Sequence, residues 1–399
     1  MKLPSKIISQ LFSGLVTASL PLAASAADIH AQDQYEDNLV KTIDELSQQG
    51  LDPALQRIEK LVSDKPDFKL AQLIYADLLL AKAQPIKEFG ALPDAPVKQI
   101  DGLRDEAKQR WSHFISPPSH NSIPASIIKL SDKSRHAIVV ELDRSRLYIF
   151  KNDQGLPKLV KDYYVSIGKK GADKYLEGDK KTPIGVYNIT RFIPDKKLPD
   201  FYGTGAFPID YPNKWDHRLG KTGHGIWLHG TPIDTYSRPP RASDGCVALS
   251  NEDFTELRSF VDVRQSPVII TRNIDWLKRD DWIKQQRQFA GLLKDWEQDW
   301  ESLDTHRYLS HYSESDFRSG RQNYKYWAAH KNRVNARKSF IELQLTDVSI
   351  FRYPGVENML EFSFHQDYRS SNFSKASNKR LYWKRDNNQK WQIIYEGPA

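Results

Sequence analysis

A chain of 399 residues is too long for one ordinary core, so two or three domains are expected. Its 39% hydrophobic content, with 10 Trp and 18 Tyr, excludes a globally disordered polymer. A formal net charge of +7 leaves room for an acidic polymer as partner, but no nucleic-acid recognition motif accompanies it.

The chain opens with a short basic stretch, Met1 to Lys6, then an apolar run, then A-A-S-A-A. This is the pattern of an export signal, with residues 1–26 removed and cleavage expected after Ala26. An uncleaved membrane anchor fits less well, because Ser9, Gln10, Ser13 and Ser19 interrupt the run and Pro21 ends it. The expected mature protein is exported, periplasmic and not membrane-spanning.

Residues 36–84 carry helical stripes. Leu39, Ile43 and Leu46 form one, stopped by Gly50. Asp52 and Pro53 predict a cap and first turn for the next, with Leu55, Ile58, Leu61 and Val62 on its face. Leu70, Leu73, Ile74 and Leu78 form a third. The pattern resembles half of a tetratricopeptide-type helix pair, without a repeated period. A further helix is expected around 97–114, giving a small helical domain over 27–115, and residues 116–133 read as a connector.

From Arg135 the texture becomes β. A-I-V-V-E-L-D-R-S-R-L-Y-I-F predicts two strands with a turn at Asp143 to Ser145. Further strands are expected at 163–168, 182–190, 225–230 and 267–271. The Lys158–Lys181 run reads as a solvated face. After Asn273, stripes containing Trp276, Trp282, Leu292, Leu293, Trp296 and Trp300 predict helix. Strands follow at 341–351, 359–368, 380–385 and 391–395. Helices and then antiparallel strands indicate an α+β domain over 273–399. This tail resembles the cone-shaped nuclear-transport-factor-two (NTF2) or SnoaL-like type. The fold class is thus multidomain α+β, with a mostly β centre.

The chain has one cysteine, Cys246, in R-A-S-D-G-C-V-A-L-S-N-E-D. Structural cysteines of exported proteins come in pairs, so a lone thiol is either reactive, an intermolecular disulfide partner, or a small buried hydrophobe. Ser243, Asp244 and Gly245 make a polar turn rather than a core strand, which favours reactivity. A thiol nucleophile needs a base beside it. If 224–229 is one strand, His224 and His229 point to opposite faces, which counts against a shared zinc site. His229 precedes Gly230 and can face a cleft. The sixteen-residue loop that follows can return Cys246 to it. Gly245 lets backbone N–H groups converge as an oxyanion hole. Ser250-Asn251-Glu252-Asp253 reads as a capping box for a short helix with Phe254 and Leu257 buried.

H-G-T at 229–231 followed by S-D-G-C-V at 243–247 resembles the catalytic motif of the L,D-transpeptidases, the YkuD-type domain. V-S-I-G (165–168), T-P-I-G (182–185) and S-P-V-I-I (266–270) agree with it. The resemblance covers residues 134–272. Many members have His where this chain has Asp244, a departure shared by an exported branch with a SnoaL-like tail. The resemblance implies that Cys246 attacks a peptidoglycan stem tetrapeptide and expels D-Ala. It makes His229 the base, oriented by the Gly230 carbonyl, with Gly245 and Cys246 N–H groups as the oxyanion hole. Ser243, Arg241, Trp227 and Tyr202 are the candidate substrate contacts, and Phe207 a candidate groove residue. No metal or cofactor is implied. The partners implied are peptidoglycan stem peptides and a wall-linked lipoprotein. An L,D-carboxypeptidase or wall-protein-detaching hydrolase on the same site, and a non-catalytic wall-binding scaffold, are the competing readings.

Overall fold

The computed structural model describes residues 34–86, 88–90 and 97–399, so the expected export signal lies outside the described residues. Four helices come first: α1 (Gln34–Gln48), α2 (Leu51–Asp64), α3 (Lys69–Ala83) and α4 (Val97–Ile115). Their stripes bury Leu39, Ile43, Leu55, Ile58, Leu61, Leu70 and Ile74 in one cluster. Gly50, at φ 99°, caps α2, so Asp52 lies inside the first turn and makes no capping bond. Tyr236, from the loop between His229 and Cys246, completes this cluster, its ring tilted against that of Phe68 at 4.4 Å.

The middle of the chain forms two facing sheets. The larger has the strand order Leu156–Tyr164, Arg146–Asp153, His136–Glu141, Pro267–Thr271, Gly185–Asn188. The smaller has the order Val247–Ala248, Trp227–His229, Gly205–Pro208, Ile193–Pro194. Ile138, Val140, Leu147, Ile149, Phe207, Leu228, Val247 and Phe254 fill the space between them. Phe207, a candidate groove residue, is therefore core. Ala137, Val139, Tyr148, Phe150 and Ile269 turn the other way and are buried against Phe351, Tyr353, Met359 and Tyr382 of the tail. Burial on both faces explains why A-I-V-V shows no polar alternation.

In the tail, a helix (Arg279–Glu301) packs on long antiparallel strands, Ile341–Arg352, Met359–Ser370, Phe373–Arg385 and Trp391–Pro398. Phe289, Leu293, Trp296 and Trp300 meet Leu360, Phe362 and Phe364 there. Three expectations change. Trp276 lies in a two-residue strand paired with Ile123–Pro124, not in the helix. The third tail strand starts at Phe373, because its first half, F-S-K-A-S-N, is largely exposed and lacks an apolar face. Residues 116–133 are not a plain connector, since Ile127–Lys129 adds a strand to the tail sheet. The lysine run is also only partly solvated: Lys161 and Lys174 are buried and paired with Glu256 and Asp179.

A buried ionic network fastens the helices to the larger sheet. Glu36 of α1 meets Arg110 of α4 at 2.9 Å and Arg146 of the sheet at 2.5 Å. Arg110 also meets Glu106 at 3.0 Å, and Asp162 bridges Arg146 at 3.1 Å and His113 at 3.0 Å. Burial alone would raise the Glu36 pKa, but the charges of Arg146 and Arg110 outweigh it and hold it at about 2. A depressed carboxylate contributes stability above its unfolded pKa and loses it as pH falls through the folded value. Glu36→Gln should therefore cost about 3–5 kcal/mol at neutral pH, by leaving buried cations unpaired. In urea melts, the gap to the unsubstituted protein should narrow as pH falls from 4.5 towards about 2. A gap constant across that window would contradict the assignment.

Candidate active site

The strand that ends at His229 pairs in parallel with the strand that follows Cys246, Leu228 to Val247 and His229 to Ala248. The Leu249 N–H donates to the His229 carbonyl at 2.9 Å and closes this ladder. His229 is fully buried, and its Nδ1 lies 2.6 Å from the Gly230 carbonyl oxygen. A carbonyl only accepts, so Nδ1 carries the proton and the Nε2 lone pair is left over. Nε2 has no hydrogen-bond partner among the described residues. Burial pushes the ring pKa down to about 4, with the Arg238 charge adding to the effect and the Gly230 carbonyl opposing it. The imidazole is thus neutral at neutral pH, with Nε2 unprotonated.

The thiol is half-buried, and Sγ donates to the Gly225 carbonyl at 3.4 Å. Burial pushes its pKa up to about 11, while the Trp227 N–H and Arg238 pull the other way. Cys246 and His229 are therefore a neutral pair at rest, not a thiolate–imidazolium pair.

The turn before the thiol is held on both sides. The Ser243 hydroxyl donates to the Cys246 carbonyl at 2.6 Å and accepts from the Gly245 N–H at 3.1 Å. The buried Thr182 hydroxyl donates to the Gly245 carbonyl at 3.0 Å and accepts from the Gly168 N–H at 2.9 Å. This corrects the expected oxyanion hole: the Gly245 N–H is already engaged by Ser243. In a trans peptide the C=O and N–H point opposite ways, so Thr182 also sets the direction of the Cys246 N–H. Gly245 itself sits at φ 129°, where a side chain would be strained.

Residues 135–270 match the L,D-transpeptidase catalytic domain (YkuD) family, and residues 288–397 match the Cds6 C-terminal NTF2-like domain. This chain carries an L,D-transpeptidase catalytic domain followed by an NTF2-like domain. Among solved structures, Bd1075 of Bdellovibrio bacteriovorus is 27% identical, with TM-score 0.61, over 70% of this chain and 98% of that one. The helical cell shape determining protein Pgp2 of Campylobacter jejuni is 28% identical, with TM-score 0.58, over 69% of this chain and 95% of that one. Comparison with curated proteins found no match. The L,D-transpeptidase domain ties the chain to peptidoglycan chemistry.

Within the transpeptidase domain, Tyr202 stands between Trp227 and His229. The Tyr202 and Trp227 rings are 4.8 Å apart, and the Tyr202 ring is 5.0 Å from the His229 ring. Arg241 is exposed on a short strand paired with Ile167 and is not gathered to the thiol. Asp244 is held by Lys169 at 3.1 Å, and His224 lies exposed near Glu177.

Sequence reasoning missed three residues here. Thr182 was visible only as part of T-P-I-G. Asn251 was read as a helix-start residue, yet its Oδ1 accepts from the Thr204 and Thr231 N–H groups at 3.0 and 3.2 Å. That amide fills the space beside Gly230 and Gly203, where an added Cβ would stand 2.2 and 2.0 Å from it. Arg238 is the third, its guanidinium 4.9 Å from the Phe201 ring.

Thr182→Val should lower turnover on the order of tenfold to a hundredfold, because a misdirected Cys246 N–H weakens oxyanion stabilisation. Thr182→Ser should keep most of it. The check is steady-state kinetics on a stem tetrapeptide with thermal melts alongside. A fully active, stably folded Thr182→Val protein would contradict the role.

Proposed function

We propose that this protein is an exported peptidoglycan L,D-transpeptidase that uses Cys246 as its nucleophile. The observation that carries the reading is His229 itself: buried, neutral, oriented by Gly230, and with a free Nε2 on the strand paired to the segment after Cys246. His113 and His136 also keep an unpartnered buried ring nitrogen, so what sets His229 apart is its place beside Tyr202 and on the strand that pairs with the segment after the chain's one thiol.

The steps follow from these groups. Sγ passes its proton to His229 Nε2 and attacks the carbonyl carbon of the diamino acid in the stem tetrapeptide. The tetrahedral oxygen is met by the Cys246 N–H. His229 then returns the proton to the departing D-Ala nitrogen, leaving a thioester on Cys246. An incoming amine loses a proton to Nε2, attacks the thioester and frees the thiol. The Gly230 carbonyl stabilises the ring while it is protonated.

The match to the L,D-transpeptidase family supports the substrate class, and the description of Pgp2 as a cell shape determinant supports a role in wall remodelling. No helix among the described residues is long and apolar enough to cross a membrane. The export-signal pattern at residues 1–26 supports a periplasmic site of action.

The test is product analysis. Protein from residue 27 onward is incubated with disaccharide tetrapeptide, with and without a competing amine, beside Cys246→Ala. Release of D-Ala with amine-exchanged or cross-linked product is expected, and none with Cys246→Ala. Tripeptide without exchange would replace the transfer step by hydrolysis. Unchanged substrate in both samples would overturn the catalytic reading.

A further inference from the structure

The loop that joins His229 to Cys246 contains S-R-P-P-R, residues 237–241. Pro239 and Pro240 leave little backbone freedom after Arg238. The backbone is then fixed from several sides. Tyr164 Oη donates to the Arg238 carbonyl at 3.0 Å, and Ser166 Oγ to the Pro239 carbonyl at 2.6 Å. Ser237 Oγ donates to Glu106 of α4 at 2.6 Å. Pro239 lies against Gly102 of the same helix, where an added Cβ would stand 2.9 Å from the proline ring. Tyr236 is buried among the helices. A side chain leaving this loop is therefore aimed by its surroundings.

The Arg238 side chain turns towards the active site. Its Nη2 donates to the Ala242 carbonyl at 2.6 Å. The guanidinium lies 4.9 Å from the Phe201 ring, which itself is 5.9 Å from the His229 ring. Nη1 is buried and has no hydrogen-bond partner. Asp244, the carboxylate whose charge acts on it, is hydrogen-bonded to Lys169 instead. A buried guanidinium N–H left idle carries a desolvation cost that a bound anion would remove.

We infer that Arg238 receives the free carboxylate of the residue that the thiol displaces. This rests on the acyl-transfer reading given above. The expelled amino acid holds its carboxylate one carbon away from the nitrogen that His229 protonates. The Arg238 guanidinium packs on Phe201, the ring that flanks His229, and its charge acts on both His229 and Cys246. Planar pairing of guanidinium and carboxylate then fixes the scissile bond over the sulfur. The consequence is specificity for peptide ends. A wall–protein bond through a lysine side chain has a leaving amine with no carboxylate at that place, so it is disfavoured as substrate.

The test measures binding rather than turnover. Cys246→Ala protein is titrated calorimetrically with disaccharide tetrapeptide and with the same molecule amidated only at its terminal carboxyl. The acid should bind roughly tenfold to a hundredfold more tightly, the range of a charge-assisted hydrogen bond. Adding Arg238→Ala should abolish that preference, and Arg238→Lys should keep part of it. Equal binding of acid and amide, or a preference that survives Arg238→Ala, overturns the inference. If Arg238→Ala does not fold, Arg238→Lys decides: an undiminished acid preference counts against, a reduced one for. Turnover is followed in parallel on unsubstituted protein. An Arg238-dependent acid preference without D-Ala release would sink the transferase reading and leave this one standing.

Discussion

A parallel pairing of two residues on each strand, Leu228–His229 with Val247–Ala248, governs the chemistry of this molecule. Parallel neighbours cannot be joined by a tight turn, so the chain must leave the sheet and come back. The returning loop is long enough to need support, and the support comes from outside the β domain. Tyr236 sits in the helical core, Ser237 bonds to Glu106, and Pro239 rests on Gly102. The helices are in turn fastened to the larger sheet by the buried Glu36–Arg110–Arg146 network. The N-terminal domain thus forms the wall against which the His–Cys loop is held. The tail covers the opposite face of the larger sheet, so no face of that sheet is free to slide.

The electrostatics of the site suit a lone thiol. The thiolate is the form that reacts with oxidants as well as with substrate. Burial holds the Cys246 pKa at about 11 and that of His229 at about 4, so the resting pair is neutral. In the proposed reaction the thiol becomes a nucleophile only as a proton passes to Nε2 during attack. Until then the single unpaired cysteine stays in its protonated, slower-oxidising form. Arg238, packed on Phe201 beside His229, adds a cation to this neutral surrounding.

Cys246 and His229 stood out as candidates because residue type, order and spacing all constrain them: one cysteine in the chain, and a histidine before Gly230 that starts the loop. The strand and helix stripes were legible where one face is buried, as in Leu55, Ile58 and Leu61. What could not be read depends on contacts between segments distant in sequence. Thr182 reaches Gly245, and Asn251 reaches Thr204 and Thr231, only after the sheets have assembled. Of the two arginines in S-R-P-P-R, the pattern gave no ground for preferring the first. Helix α4 and Tyr164 decide it by fixing the loop. The strand at Ile127–Lys129 was missed for the same reason, since its partner lies in the tail sheet. The Gly245 N–H looked available for an oxyanion because the sequence does not show the Ser243 hydroxyl turned towards it.

The most direct measurement of the central claim is intact-protein mass spectrometry after brief exposure to disaccharide tetrapeptide, followed by peptide mapping under acidic conditions. The account predicts an adduct equal to the substrate less D-Ala, located on the peptide containing Cys246 and released by hydroxylamine, as a thioester is. An adduct on another residue, or substrate turnover with no dependence on Cys246, would contradict it.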